Sequence, residues 1–154
     1  MKNSKRLLLI EQLDMKLSCF KEVKEVGLPS VGWVKSIRTV LKMSLRQLGN
    51  KMKVTPQNIA VLEKREANGT ITVNSLKEIA LALDMRFVYG FVSNKGSIEE
   101  MIELRAKEIA KEIVGRTHVT MTLEDQQNSN KRIEKANRQK TEEIKYEMPK
   151  YLWD

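Results

Sequence analysis

Gln57, Asn58 and Val61 stand at helical spacing and carry side chains suited to reading a base edge. Gln and Asn each present a donor and an acceptor, the combination that pairs bidentately with adenine, and a valine one turn later can touch a thymine methyl. A helix start is signalled just before them, with Thr55 as N-cap and Pro56 in the first helical position. Arg46, Lys51, Lys53, Lys64 and Arg65 supply cations for backbone phosphates, and the free amides behind a second cap, Ser44, offer another anion site. The same residues also have a bland reading, as polar groups that solvate a helix start and as an ordinary charged face.

The elements around these residues favour the DNA reading. Residues 43–63 have the spacing of a helix-turn-helix: Leu45, Leu48 and Met52 on the inner face of a first helix, Ile59 and Leu62 on that of a second, and Gly49 where the helices cross. A mid-helix glycine costs roughly 1 kcal/mol relative to Ala, so the close crossing has to return it. Further apolar groups, Val34, Ile37, Val40 and Leu41 before and Leu76, Ile79, Ala80 and Leu83 after, predict short flanking helices, the last capped by Thr72 or Asn74.

The net charge of +8 points to a polyanion, nucleic acid ahead of a membrane surface. Residues 32–66 concentrate it: Lys35, Arg38, Lys42, Arg46, Lys51, Lys53, Lys64 and Arg65 face only Glu63 and Glu66. The rest of the chain is nearly balanced.

Ile10, Leu13, Leu17 and Phe20 predict an amphipathic N-terminal helix that stops at Gly27-Leu28-Pro29-Ser30. Residues 86–92, dense in aromatic and β-branched side chains, predict a short strand. Its only candidate partner within the chain is the alternating stretch 117–123; a second copy is the other. Ser97-Ile98-Glu99-Glu100 is a capping box opening a helix with Ile98, Ile102, Ala106, Ile109 and Ile113 on one face. Residues 126–145 read as an exposed helix or linker, and residues 146–154, with Tyr146, Tyr151, Leu152 and Trp153, as a hook that docks.

Catalysis finds little support. The single histidine, His118, has no nearby cysteine, and no phosphate loop, metal-ligand spacing or nucleophile elbow appears. No cofactor or metal is called for, and the chain reads as a non-enzyme. One cysteine, Cys19, excludes an intrachain disulfide framework and reads as a small buried hydrophobe in a reducing cytoplasm. The apolar run 7–10 stops at Glu11, too short for export, and no stretch spans a bilayer.

Residues 34–83 resemble the Xre and phage-repressor family of five-helix DNA-binding domains, through Leu48-Gly49, Val54-Thr55, Ile59 with Leu62-Glu63, and Leu76 with Ile79-Ala80 and Leu83. The resemblance implies an ion pair between Arg38 and Glu63. Two positions depart from the pattern: Lys53 occupies the usual turn glycine, and Leu45 a common phosphate-contacting position. A broader resemblance, carried by Gly32-Trp33, Glu66-Ala67-Asn68-Gly69 with Ile71-Thr72, Phe87-Val88-Tyr89, residues 121–126 and Leu152-Trp153-Asp154, is to the mobile mystery protein A family. That likeness implies an antitoxin and regulator encoded beside a Fic-domain toxin. Fic inhibitors carry Ser or Thr, three residues, Glu, then Gly or Asn; the nearest approach here is Thr120 with Glu124, followed by Asp125. The same residues also read as a helix end with solvated acids.

The expected fold is mainly α: an N-terminal amphipathic helix (1–30), a five-helix repressor-like helix-turn-helix domain (31–84), a strand and helix for dimerisation or partner binding (85–125), and a polar segment with an aromatic tail (126–154). The expected function is an autoregulating repressor and antitoxin that binds a palindromic double-stranded operator as a homodimer. The alternative is an interaction module that neutralises a toxin, with DNA binding secondary.

Overall fold

The computed structural model describes residues 2–117 and 126–154, which hold seven α-helices: α1 (Lys2–Ser18), α2 (Trp33–Val40), α3 (Leu45–Met52), α4 (Pro56–Ala67), α5 (Val73–Ala82), α6 (Ile98–Thr117) and α7 (Gln126–Glu147). Two 3-10 turns, Lys21–Glu25 and Lys150–Trp153, complete them. The chain divides into two compact units, a central one, Glu22–Gly90, and a flanking one made of Met1–Lys21 and Phe91–Asp154.

In the central unit, Val34, Leu48, Ile59, Leu62 and Ile79 form the buried core, with Met43, Leu45, Met52 and Leu76 packed against it. Burying each such aliphatic side chain contributes roughly 1.5–3 kcal/mol. The helices are short because each is closed by its own sequence. Ser44 and Gln47 form a reciprocal capping box at α3, Thr55 accepts from the Asn58 amide with Pro56 next to it, and Thr72 accepts from the Ser75 amide. Val40 and Leu41, expected on the inner face of α2, are exposed instead, because eight residues of helix turn only Val34 and Ile37 inward.

The central unit holds four α-helices where the family resemblance implied five. Asp84, at φ 57, takes a left-handed turn after α5, and the chain leaves without forming another helix before Gly90. The expected strand is absent as well: among the described residues no segment forms one, and the backbone of residues 86–92 makes no hydrogen bond with the rest of them. Among the described residues nothing offers that segment a ladder. Thr117 of the expected partner belongs to α6, and residues 118–123 lie outside the described residues.

In the flanking unit, Ile102, Ala106, Ile109 and Ala110 of α6 pack with Ile144 of α7 and with Leu152, which is fully buried. The two alanines allow close approach of the helices. The Ser97–Glu100 capping box forms at α6 as expected, with Ser97 Oγ accepting from Glu100 N at 3.1 Å. Helix α1 ends at Ser18, well before the expected stop, when the Ser18 hydroxyl turns back to the Met15 carbonyl. Cys19 follows in the turn and is exposed, a correction to its reading as a buried hydrophobe. It falls beyond the helix face that Ile10 presents to the core. Leu13, expected on the inward stripe, is also exposed.

Candidate nucleic-acid interface

Helix α4 sorts its residues by face. Ile59, Leu62, Glu63 and Glu66 turn inward, whereas Gln57, Asn58, Val61, Lys64 and Arg65 are all exposed. The Asn58 amide is taken by the Thr55 cap, which leaves its carboxamide side chain free of that role. Val61 keeps 45% of its surface accessible, which leaves it available for an apolar contact outside the core.

The turn before α4 fixes where that face begins. Val54 N donates to Gly49 O at 2.9 Å and Lys53 N to Asn50 O at 3.3 Å, with Lys53 left-handed at φ 57. This is a Schellman closure with lysine where glycine is usual. The turn is therefore made despite the departure noted in the sequence, and a Cβ in the left-handed region costs about 1 kcal/mol. Gly49 itself is required: a Cβ there would stand 2.7 Å from the Val54 carbonyl oxygen, a backbone atom that cannot step aside. The close approach expected at Gly49 is thus to the turn, not only to the second helix.

Arg46, Lys51 and Lys53 are exposed on and after α3. Ser44 spends its hydroxyl oxygen on the Gln47 amide, and the Leu45 and Arg46 amides of that first turn have no intrahelical acceptor, so a phosphate can still meet them. Gln47, by contrast, is committed to the Ser44 amide through its side chain at 2.8 Å.

Behind the exposed face two carboxylates hold α4 to α2. Arg38 donates from Nε to Glu63 Oε1 at 2.6 Å and from Nη2 to Oε2 at 3.2 Å, and its Nη1 reaches the Met43 carbonyl at 2.8 Å. The side chains keep only 13% and 7% of their surface, so this is a buried, forked pair that ties α2, the turn before α3, and α4 together. Its hydrogen bond to Glu63 holds the Arg38 guanidinium above its ordinary value, against the opposing effect of burial.

Glu66 makes the second tie, one that the sequence reading missed. Its two oxygens accept from the Trp33 and Val34 amides, both at 2.9 Å, and so cap α2 from outside. The signal was present: α2 opens at Gly32, which has no side chain to cap it, so an acceptor had to come from elsewhere. A Cβ at Gly32 would come within 2.8 Å of that carboxylate. The motifs Gly32-Trp33 and Glu66-Ala67-Asn68-Gly69 are thereby two halves of one contact.

Thr120 and Glu124, singled out as inhibitory, and His118 lie outside the described residues. Among the described residues no helix is long and apolar enough to cross a membrane. No family model, curated protein or solved structure matches the chain.

Proposed function

We propose that the chain is a sequence-specific DNA-binding repressor that reads base edges with Gln57, Asn58 and Val61 and grips phosphates with Ser44, Arg46, Lys51, Lys53, Lys64 and Arg65. The observation that carries the reading is the sorting of α4, whose inward face is closed by Ile59, Leu62, Glu63 and Glu66 while the five candidate contacts stand exposed beside a capped N-terminus. One such helix reads few base pairs, so a homodimer on a palindromic operator, with half-sites about 34 Å apart, supplies the specificity. The antitoxin role and a Fic-domain partner rest on the family resemblance, and within that role Glu124 contributes to neutralisation; cytoplasmic residence is read from the single Cys19, which leaves no disulfide framework.

A gel-shift titration against the DNA upstream of its own gene tests the repressor. No preference over scrambled DNA at physiological salt overturns it. Gln57→Ala is expected to lose on the order of 1–3 kcal/mol at one base position, whereas Lys51→Ala weakens all DNA about equally and flattens the salt dependence. The second reading, an interaction module, is favoured by the apolar surface of α1: Leu8, Leu9 and Met15 are 53%, 55% and 73% exposed. Glu124→Ala in a co-expression growth assay tests the toxin contact; unchanged neutralisation removes that residue's role.

A further inference from the structure

The central unit contains an apolar cleft of about 570 Å³ that DNA reading leaves unused. Such a volume falls within the range typical of small-molecule sites, roughly 300–1,000 Å³. The cleft is walled by α2, the end of α4, α5 and the residues that leave α5 after the left-handed turn at Asp84. Met85, Phe87 and Tyr89 follow that turn at two-residue spacing, and the rings of Phe87 and Tyr89 stack with centroids 5.6 Å apart and planes 22° apart. The segment that reads as a strand in the sequence thus lines a cavity, with Arg86 and Val88 included. Trp33 adds a third aromatic to the lining, and Ile37 and Leu76 add aliphatic surface.

The lining also defines what it can take. Its two charged groups, Glu66 and Arg86, have opposite signs, and both Glu66 oxygens are already engaged by the α2 amides. Arg86 is exposed and keeps its charge hydrated, so neither group calls for an ionised ligand. Tyr89 and Trp33 remain 60% and 43% exposed, which leaves two aromatic side chains, each with one polar group, for an occupant to meet. An apolar occupant would take lining surface out of water, such as that of Met85 and Val88, 51% and 65% exposed, and each Å² so buried contributes about 25 cal/mol.

We infer that this cleft binds a neutral, planar aromatic small molecule. The inference does not rest on the DNA-binding reading, because Gln57, Asn58 and Val61 take no part in the lining.

Titration of the full chain with the neutral fluorophore N-phenyl-1-naphthylamine tests it. The expected result is an emission increase that saturates at one probe per chain. Ala80→Phe, which fills the cleft from α5, should weaken binding by about tenfold or more. Tyr89→Ala, at an exposed position, should weaken it by about threefold or more with an unchanged thermal midpoint; it decides alone if the Ala80 variant does not fold. Emission that fails to saturate, several probes per chain, or affinity unchanged by Tyr89→Ala overturns the assignment. So does an affinity that falls as chain concentration rises, the sign that a second copy occupies the cleft.

Discussion

Both units anchor a helix N-terminus with a carboxylate from another element and hold a distant segment with an arginine, but they do so over different lengths of chain. In the central unit Glu66 caps α2 across 32 and 33 residues, and Arg38 reaches Glu63 across 25. In the flanking unit Asp14 accepts from the Ile98 and Glu99 amides of α6 across 84 and 85 residues, at 2.8 and 3.2 Å. Arg105 donates to the Leu152 and Asp154 carbonyls across 47 and 49 residues, at 2.8 and 2.6 Å. The partner's chemistry differs as well. Arg38 meets a buried carboxylate, whereas Arg105, 30% exposed, meets the Leu152 carbonyl and the solvent-exposed Glu108 carboxylate, so its loss strands no buried charge.

That contrast predicts where each unit breaks. Glu63→Ala, which strands the Arg38 charge, is expected to cost about 3–5 kcal/mol in urea unfolding, with hydrogen exchange accelerated first in α2 to α4. A loss under about 1 kcal/mol would mean that the pair is solvated and the contrast false. Leu152→Ala should cost roughly 2–5 kcal/mol, with exchange rising in α6 and α7 instead. Smaller still, Glu66→Ala and Asp14→Ala each remove a cap, about 1 kcal/mol apiece, and equal losses in the two melts would show that chain separation does not alter what a cap contributes.

The smallest effect is electrostatic and confined to the flanking unit. Glu103 accepts from Lys107 and meets Lys145 of α7, and the Lys107 hydrogen bond, followed by the Lys145 charge, holds its carboxyl below the ordinary range. A carboxyl lowered in the folded state contributes stability above its unfolded pKa and loses it as pH falls through the folded value. Thermal midpoints measured from neutral pH down to about 3 should therefore drop on acidification, and Glu103→Gln should remove part of that drop.

The same difference in range explains what the sequence reveals. Ser44 with Gln47, Thr55 with Pro56, and Ser97 with Glu100 lie within one helical turn, so their chemistry announces the helix starts directly. The face sorting of α4 is legible for the same reason, and the docking tail only in part: Leu152 is buried, but Tyr146, Tyr151 and Trp153 are exposed. Asp14 capping α6 is not legible, because no spacing rule links residues 84 apart. Residues 86–92 mislead because a density of aromatic and β-branched side chains favours a strand but cannot supply its ladder partner. The exposure of Cys19 depends on α1 ending at Ser18, which the helical periodicity running on to Phe20 conceals.

The flanking unit is built from two stretches separated by the whole of the other one. During synthesis, residues 22–90 have every contact described for them before α6 is made, so they can close while α1 still lacks the core against which Ile10 packs. Asp14 gains its amides only once residues 98 and 99 emerge, and Arg105 gains its carbonyls only after residue 152. The protein therefore acquires the surface proposed to read DNA first, and the unit joined from both of its ends last.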